Sequence, residues 1–126
     1  MLFRSNLNTN DIFDTVYSDF YDMFFQQITT SRIVPIRTAH IDGLSLLARN
    51  RIAADMIYVN TEAHKDKLND VIKLCMHLLR PNGIIIGNNY NLKNSAYNYV
   101  ADSVNACLPN FTIVPDTCLW QSRKPW

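Results

Sequence analysis

Glu62 and His64 stand two residues apart, just after the apolar run Asp55-Met-Ile-Tyr-Val59, at the expected start of a helix. A carboxylate accepts protons and an imidazole exchanges them near neutral pH, so this pair is the candidate for general acid–base catalysis. Other polar residues follow short apolar runs in the same way. Thr38 and His40 come after Ile33-Val-Pro-Ile-Arg37, and Asn60 directly after Val59; these three are the candidates for cofactor contact. Asn88, Asn89 and Tyr90 come after Ile84-Ile-Ile-Gly87 and are the candidates for a substrate rim. Each has a plainer use as well. Asn60 can cap the following helix, Glu62 can sit favourably in its first turn, and an Asn-Asn pair suits a turn because Asn tolerates left-handed backbone.

These residues share one site only if the chain forms strands whose carboxyl ends line up. Ile12, Phe13, Val16, Tyr17, Phe20, Phe24 and Ile28 recur at helical steps, giving an expected helix over residues 11–29 with an aromatic stripe in the core. Ile33 to Arg37 reads as an edge strand because Pro35 supplies no N–H. Residues 42–49 read as a short helix packed through Leu44, Leu46 or Leu47. Asp55 to Val59 is then a buried strand. Leu68, Val71, Ile72, Cys75, Leu78 and Leu79 mark the buried face of the next helix, and Arg80-Pro-Asn-Gly83 ends it. Ile84 to Ile86 is the following strand, and Tyr97, Val100, Ala101, Val104 and Leu108 share the face of a last helix. Phe111 to Val114 and Cys118 to Gln121 flank Pro115-Asp116 as a hairpin. Strands alternating with helices imply one α/β domain over residues 1–126, with a mostly parallel sheet, a carboxyl-terminal antiparallel hairpin and helices on both faces. Ligands of such sheets bind at the carboxyl ends of the strands.

Composition narrows the function. Twelve Lys and Arg against eleven Asp and Glu leave a formal charge of +1, which gives no global field for nucleic acid or an anionic membrane. No apolar run reaches membrane-spanning length and no signal peptide opens the chain, so a cytoplasmic location is expected. Cys75, Cys107 and Cys118 lack disulfide or zinc spacing, so reduced thiols and no metal are expected.

The segment DMIYVNTEAHKDKLNDVIKLCMHLLRPNGIIIGNNY, residues 55–90, resembles the second half of class I S-adenosylmethionine (SAM) dependent methyltransferases, especially macrocin-type small-molecule and sugar O-methyltransferases. The Leu78-Leu-Arg-Pro-Asn-Gly83 turn running into Ile84-Ile-Ile-Gly87 carries the likeness most specifically. The ending Leu119-Trp-Gln-Ser-Arg-Lys-Pro125 is similar to the family's last strand. The resemblance covers about residues 31–125. It implies a partial Rossmann-like methyltransferase sheet, with SAM as cofactor and O-methylation of a small molecule or sugar as the reaction.

The chain departs from that family in two ways. The glycine-rich turn that brings backbone close to the cofactor has no counterpart among its three glycines, Gly43, Gly83 and Gly87. The family's acids at the strand ends correspond to Asn60, Asn88 and Asn89, and its histidine to Ala63, one position before His64. An amide is no useful base and only a weak metal ligand. Two functions are therefore expected to compete. One is a methyltransferase-like subunit completed by a partner chain or by further residues; the other is a non-catalytic interaction or regulatory module. Either way the outer edge of the Asp55–Val59 strand is expected to pair, with Ile33–Arg37 or with a second protomer.

Overall fold

The structure, a computed structural model, describes residues 18–60, 65–90 and 98–125. The chain divides into two compact units, Met1–Gly43 and Leu44–Trp126. In the first, residues 18–23 are helical, and after a turn at Phe24 comes α1 (Phe25–Thr29). Phe20 and Phe24 stack at 4.9 Å and Tyr21 meets Phe25 edge-on at 6.0 Å, the contacts expected four residues apart on a helix. Of the expected aromatic stripe, Phe20, Phe24 and Ile28 are half-buried rather than fully buried; its residues 12–17 lie outside the described residues. Met23 and Phe25, off that stripe, are exposed.

Residues 33–37 form no strand, contrary to expectation. Their backbone is already committed. The helix ends with Ser31 in the left-handed region (φ 61), and the N–H groups of Arg32 and Ile33 both donate to the Gln27 carbonyl, at 2.8 and 3.0 Å. Pro35 has no N–H to offer a ladder, and Val34 stands exposed. Next is α2 (His40–Arg49), which starts two residues before the expected position and therefore takes His40 out of the loop. Leu44 and Leu47 are buried on it while Leu46 is exposed. Asp42 in its first turn and Arg49 in its last complement the helix dipole.

In the second unit, β1 (Ala54–Val59), α3 (Lys65–Leu78), β2 (Leu79–Gly87), α4 (Asn98–Cys107), β3 (Thr112–Ile113) and β4 (Trp120–Arg123) follow in order. The four strands make one sheet in the order β1-β2-β4-β3. β1 and β2 are parallel, as expected for strands joined by a helix, and the carboxyl-terminal strands are an antiparallel pair as expected. The sheet as a whole is mixed, not mostly parallel. β4 inserts between β2 and β3, and both of its ladders are antiparallel.

The helical face of α3 is as its spacing predicts. Leu68, Val71, Ile72, Cys75 and Leu78 are buried, with Leu79 beside them as the first residue of β2. Val100 and Val104 supply the buried face of α4, with Leu108 buried directly after it. The strands alternate. Val59, Ile85, Gly87, Trp120 and Ser122 are buried on one face of the sheet, with Ile57 half-buried among them. On the other face, Ile84, Ile86 and Gln121 are half-buried and Met56 and Tyr58 are 63% and 48% exposed, so burial is one-sided rather than symmetric.

The Arg80-Pro-Asn-Gly83 turn is absorbed into β2 as an irregularity. Ala54 pairs with Leu79 and Met56 with Ile84, so the partner strand advances five residues for two of β1. The end of the chain holds this loop in place. Asn82 N–H donates to Lys124 O (3.0 Å), Lys124 N–H to Gly83 O (2.8 Å), Arg123 Nη1 to Asn82 O (2.7 Å) and Lys124 Nζ to Leu79 O (2.8 Å). Asn82 adopts φ 66, which Asn tolerates. Gly83 is required for closeness: an added Cβ would lie 2.9 Å from Arg80 O and 3.1 Å from Asp55 O, both backbone atoms. The exposed Arg80–Asp55 ion pair at 2.9 Å adds little in water.

Gly83→Ala is expected to lower stability by about 1–3 kcal/mol, the usual cost of overpacking, whereas Asn82→Gly, which suits the same φ, stays near wild type; urea midpoints decide. Ser103 is fully buried in α4 and its hydroxyl has no hydrogen-bond partner among the described residues. Ser103→Ala should therefore raise stability by about 1 kcal/mol, visible as a higher midpoint at unchanged slope.

Candidate functional site

The register of β1 on β2 fixes what meets at the carboxyl ends of the strands. Val59 pairs with Gly87, so the next residues, Asn60 and Asn88, emerge side by side. Asn88 Nδ2 donates to Asn60 Oδ1 at 3.1 Å. Asn60 and Asn88, two of the candidate residues, are thus brought together, and the two amides use each other as partners.

Trp120 organises the ground beneath them. Gly87 pairs with Trp120 across the β2–β4 ladder, and a Cβ on Gly87 would collide with the indole, so the ring lies directly against the glycine backbone. Indole Nε1–H then donates to Asn88 O at 3.2 Å. Asn89 follows in the left-handed region with φ 66, the conformation of a turn residue. Tyr90 is held from three sides. Its N–H donates to Cys118 O (3.0 Å), its hydroxyl accepts from Asn105 Nδ2 (3.0 Å), and its ring packs on Phe111 at 5.4 Å. Asn105 Nδ2 also reaches Ala101 O on its own helix at 2.7 Å.

Between these residues lies a void of about 10 Å³, lined by Val59, Leu68, Asn88, Val100 and Trp120. It holds about one water, against the several hundred Å³ of a ligand pocket. This void is far too small for a nucleoside.

Thr38 and His40 lie in the first unit, Thr38 half-buried and His40 buried at the start of α2. The catalytic candidates Glu62 and His64, with Ala63, lie outside the described residues. Sequence reasoning missed Trp120, Gly87 as its seat, and Asn105. The signal that existed was a glycine ending an isoleucine-rich strand in a chain with few glycines, which marks a place where something approaches the backbone.

No three His, Cys, Asp or Glu side chains cluster as a metal site among the described residues, and no described helix is long and apolar enough to cross a membrane. The thiols are poor nucleophiles where they are buried. Burial pushes Cys75 up to about 12. Burial also raises Cys107, with Lys73 opposing and Asp70 reinforcing, and its sulfur lies 3.7 Å from Asn69 Oδ1.

No model of a known protein family matches the chain, and no curated protein matches it.

The Cys75 shift has a consequence for stability. The thiol ionises near 9.0 when unfolded and near 12 when folded, so its contribution is intact below pH 9. It is lost as pH rises from 9 to 12, by up to about 4 kcal/mol. Cys75→Ala should flatten that part of the stability–pH curve relative to wild type in urea titrations, and Cys75 should react with a thiol reagent only on unfolding.

Proposed function

We propose that this chain is a non-catalytic interaction or regulatory module built on a methyltransferase-type α/β fold. The observation that carries the reading is the hydrogen bond between Asn88 and Asn60. These residues stand where the resemblance implies carboxylates, and they are bonded to each other. A neutral amide does not take the proton of a sugar or small-molecule hydroxyl, and it does not supply the charge that holds Mg²⁺. Trp120 and Tyr90 support the same reading, because each spends its polar atom within the fold.

A second reading keeps the methyltransferase-like activity. In it a SAM site is completed by a partner chain or by further residues, Thr38, His40 and Asn60 contact the cofactor, and Glu62 with His64 exchanges the proton. One observation favours it: a parallel pair followed by an antiparallel carboxyl-terminal hairpin is the arrangement that the resemblance implies.

Calorimetric titration of the chain with SAM and with S-adenosylhomocysteine separates the two. No heat of binding at millimolar ligand is expected. Binding near micromolar would overturn the module reading in favour of the enzyme.

A further inference from the structure

β1 is an edge strand. Among the described residues its second hydrogen-bonding side has no partner strand, and the expected neighbour, Ile33–Arg37, is not a strand. The opposite edge is blunted because β3 has only two residues. β1 has six and, among the described residues, is the less protected edge. It contains no proline and no lysine, and its single charge, Asp55, is tied to Arg80. It also displays Met56 and Tyr58 on the same face, 63% and 48% exposed.

We propose that this edge pairs antiparallel with the β1 edge of a second copy of the chain, around a two-fold axis through Ile57 and perpendicular to the sheet. Such an axis keeps each face of the sheet on its own side, so facing residues must share a face and the register can move only in steps that preserve this. Centring on Ile57 sets Met56 against the partner's Tyr58 and Tyr58 against the partner's Met56. Each copy thereby covers its two exposed apolar side chains in a sulfur–aromatic contact. Centring on Met56 would leave Tyr58 facing only Ala54. It would also centre the pairing nearer Ala54–Met56, where β1 is irregular, whereas Met56 to Val59 run in unbroken register on β2. The Ile57 register keeps the two Asp55 carboxylates apart, each facing the partner's Val59.

The size of the contact sets its strength. Five facing residues at about 3.3 Å per residue make a seam roughly 17 Å long and only one strand wide, a smaller contact than the standard interface of roughly 800 Å² per partner. The dimer therefore forms and dissociates with concentration. The proposal deepens the module reading and rests on it for its purpose, but its readout is independent of SAM, so either can fail alone.

Sedimentation equilibrium of the full chain from about 10 μM to about 1 mM, the range in which a contact of this size dissociates, tests it. Wild type should move from monomer toward dimer. Met56→Lys with Tyr58→Lys sets lysine against lysine across the seam and should stay monomeric. Met56→Lys with Tyr58→Glu sets lysine against glutamate twice, only in the Ile57 register, and should restore the dimer. Far-UV circular dichroism and urea midpoints matching wild type establish that both variants fold. A wild type that stays monomeric at about 1 mM, a dimer that the double lysine variant leaves intact, or a lysine–glutamate variant that remains monomeric overturns the proposal.

Discussion

The indole of Trp120 rests on the bare backbone of Gly87, and most of the second unit depends on that contact. It suits the β2–β4 ladder, because any side chain at position 87 would collide with the indole paired opposite it. Once β4 is seated, the residues after it are carried to the Arg80–Gly83 loop, where Arg123 and Lys124 hold the carbonyls of Asn82 and Leu79. At the other end of the ladder the same ring anchors Asn88 through its carbonyl. One large side chain over one missing side chain thus fixes both ends of β2. The ring itself is almost wholly buried, and its single polar atom is satisfied, as a buried indole requires.

That anchoring decides what the strand ends can do. Asn88 is held at its backbone by Trp120 and at its side chain by Asn60, and Tyr90 is held by backbone, hydroxyl and ring. Groups so fully engaged serve the fold first, because a ligand would have to replace bonds already made. Carboxylates at the same two positions would repel each other across 3.1 Å unless a cation or a proton lay between them. Amides need neither. The neutrality of both side chains is what lets Asn88 donate to Asn60 here.

The legible parts of the sequence were those in which one element dictates its own burial. The face Leu68, Val71, Ile72, Cys75 and Leu78 repeats at helical spacing and is buried in that pattern, and Ile84 to Ile86 could be little other than a strand. The parallel β1–β2 pair followed from the helix between them. The errors fell where a distant partner decides. Ile33, Val34 and Ile36 have strand-like side chains, but the N–H of Ile33 was claimed by a helix carbonyl six residues earlier. His40 was expected in a loop, yet α2 begins on it. β4 sits beside β2 with Trp120 paired to Gly87, and no local pattern announces which strand a tryptophan will lie against. At the rim, the adjacency of Asn60 and Asn88 was legible from strand order, while their mutual hydrogen bond was not.

The two edges of the sheet show how unequally the sequence distributes this protection. At β3 the chain spends only two residues in the ladder before Val114 turns back, its N–H donating to Leu119 O. The backbone there is used up by the hairpin itself. At β1 no such device exists among the described residues, and beside the Asp55–Arg80 pair the exposed side chains of the strand, Met56 and Tyr58, are largely apolar. Unpaired backbone in contact with water costs little, because water satisfies it, so the edge does not threaten folding. What it leaves is a ladder waiting for a strand, flanked by a methionine and a tyrosine whose burial is worth more than their exposure. A weak, reversible pairing is the physical expectation for such an edge: the backbone supplies direction and register, and the two side chains supply the net gain.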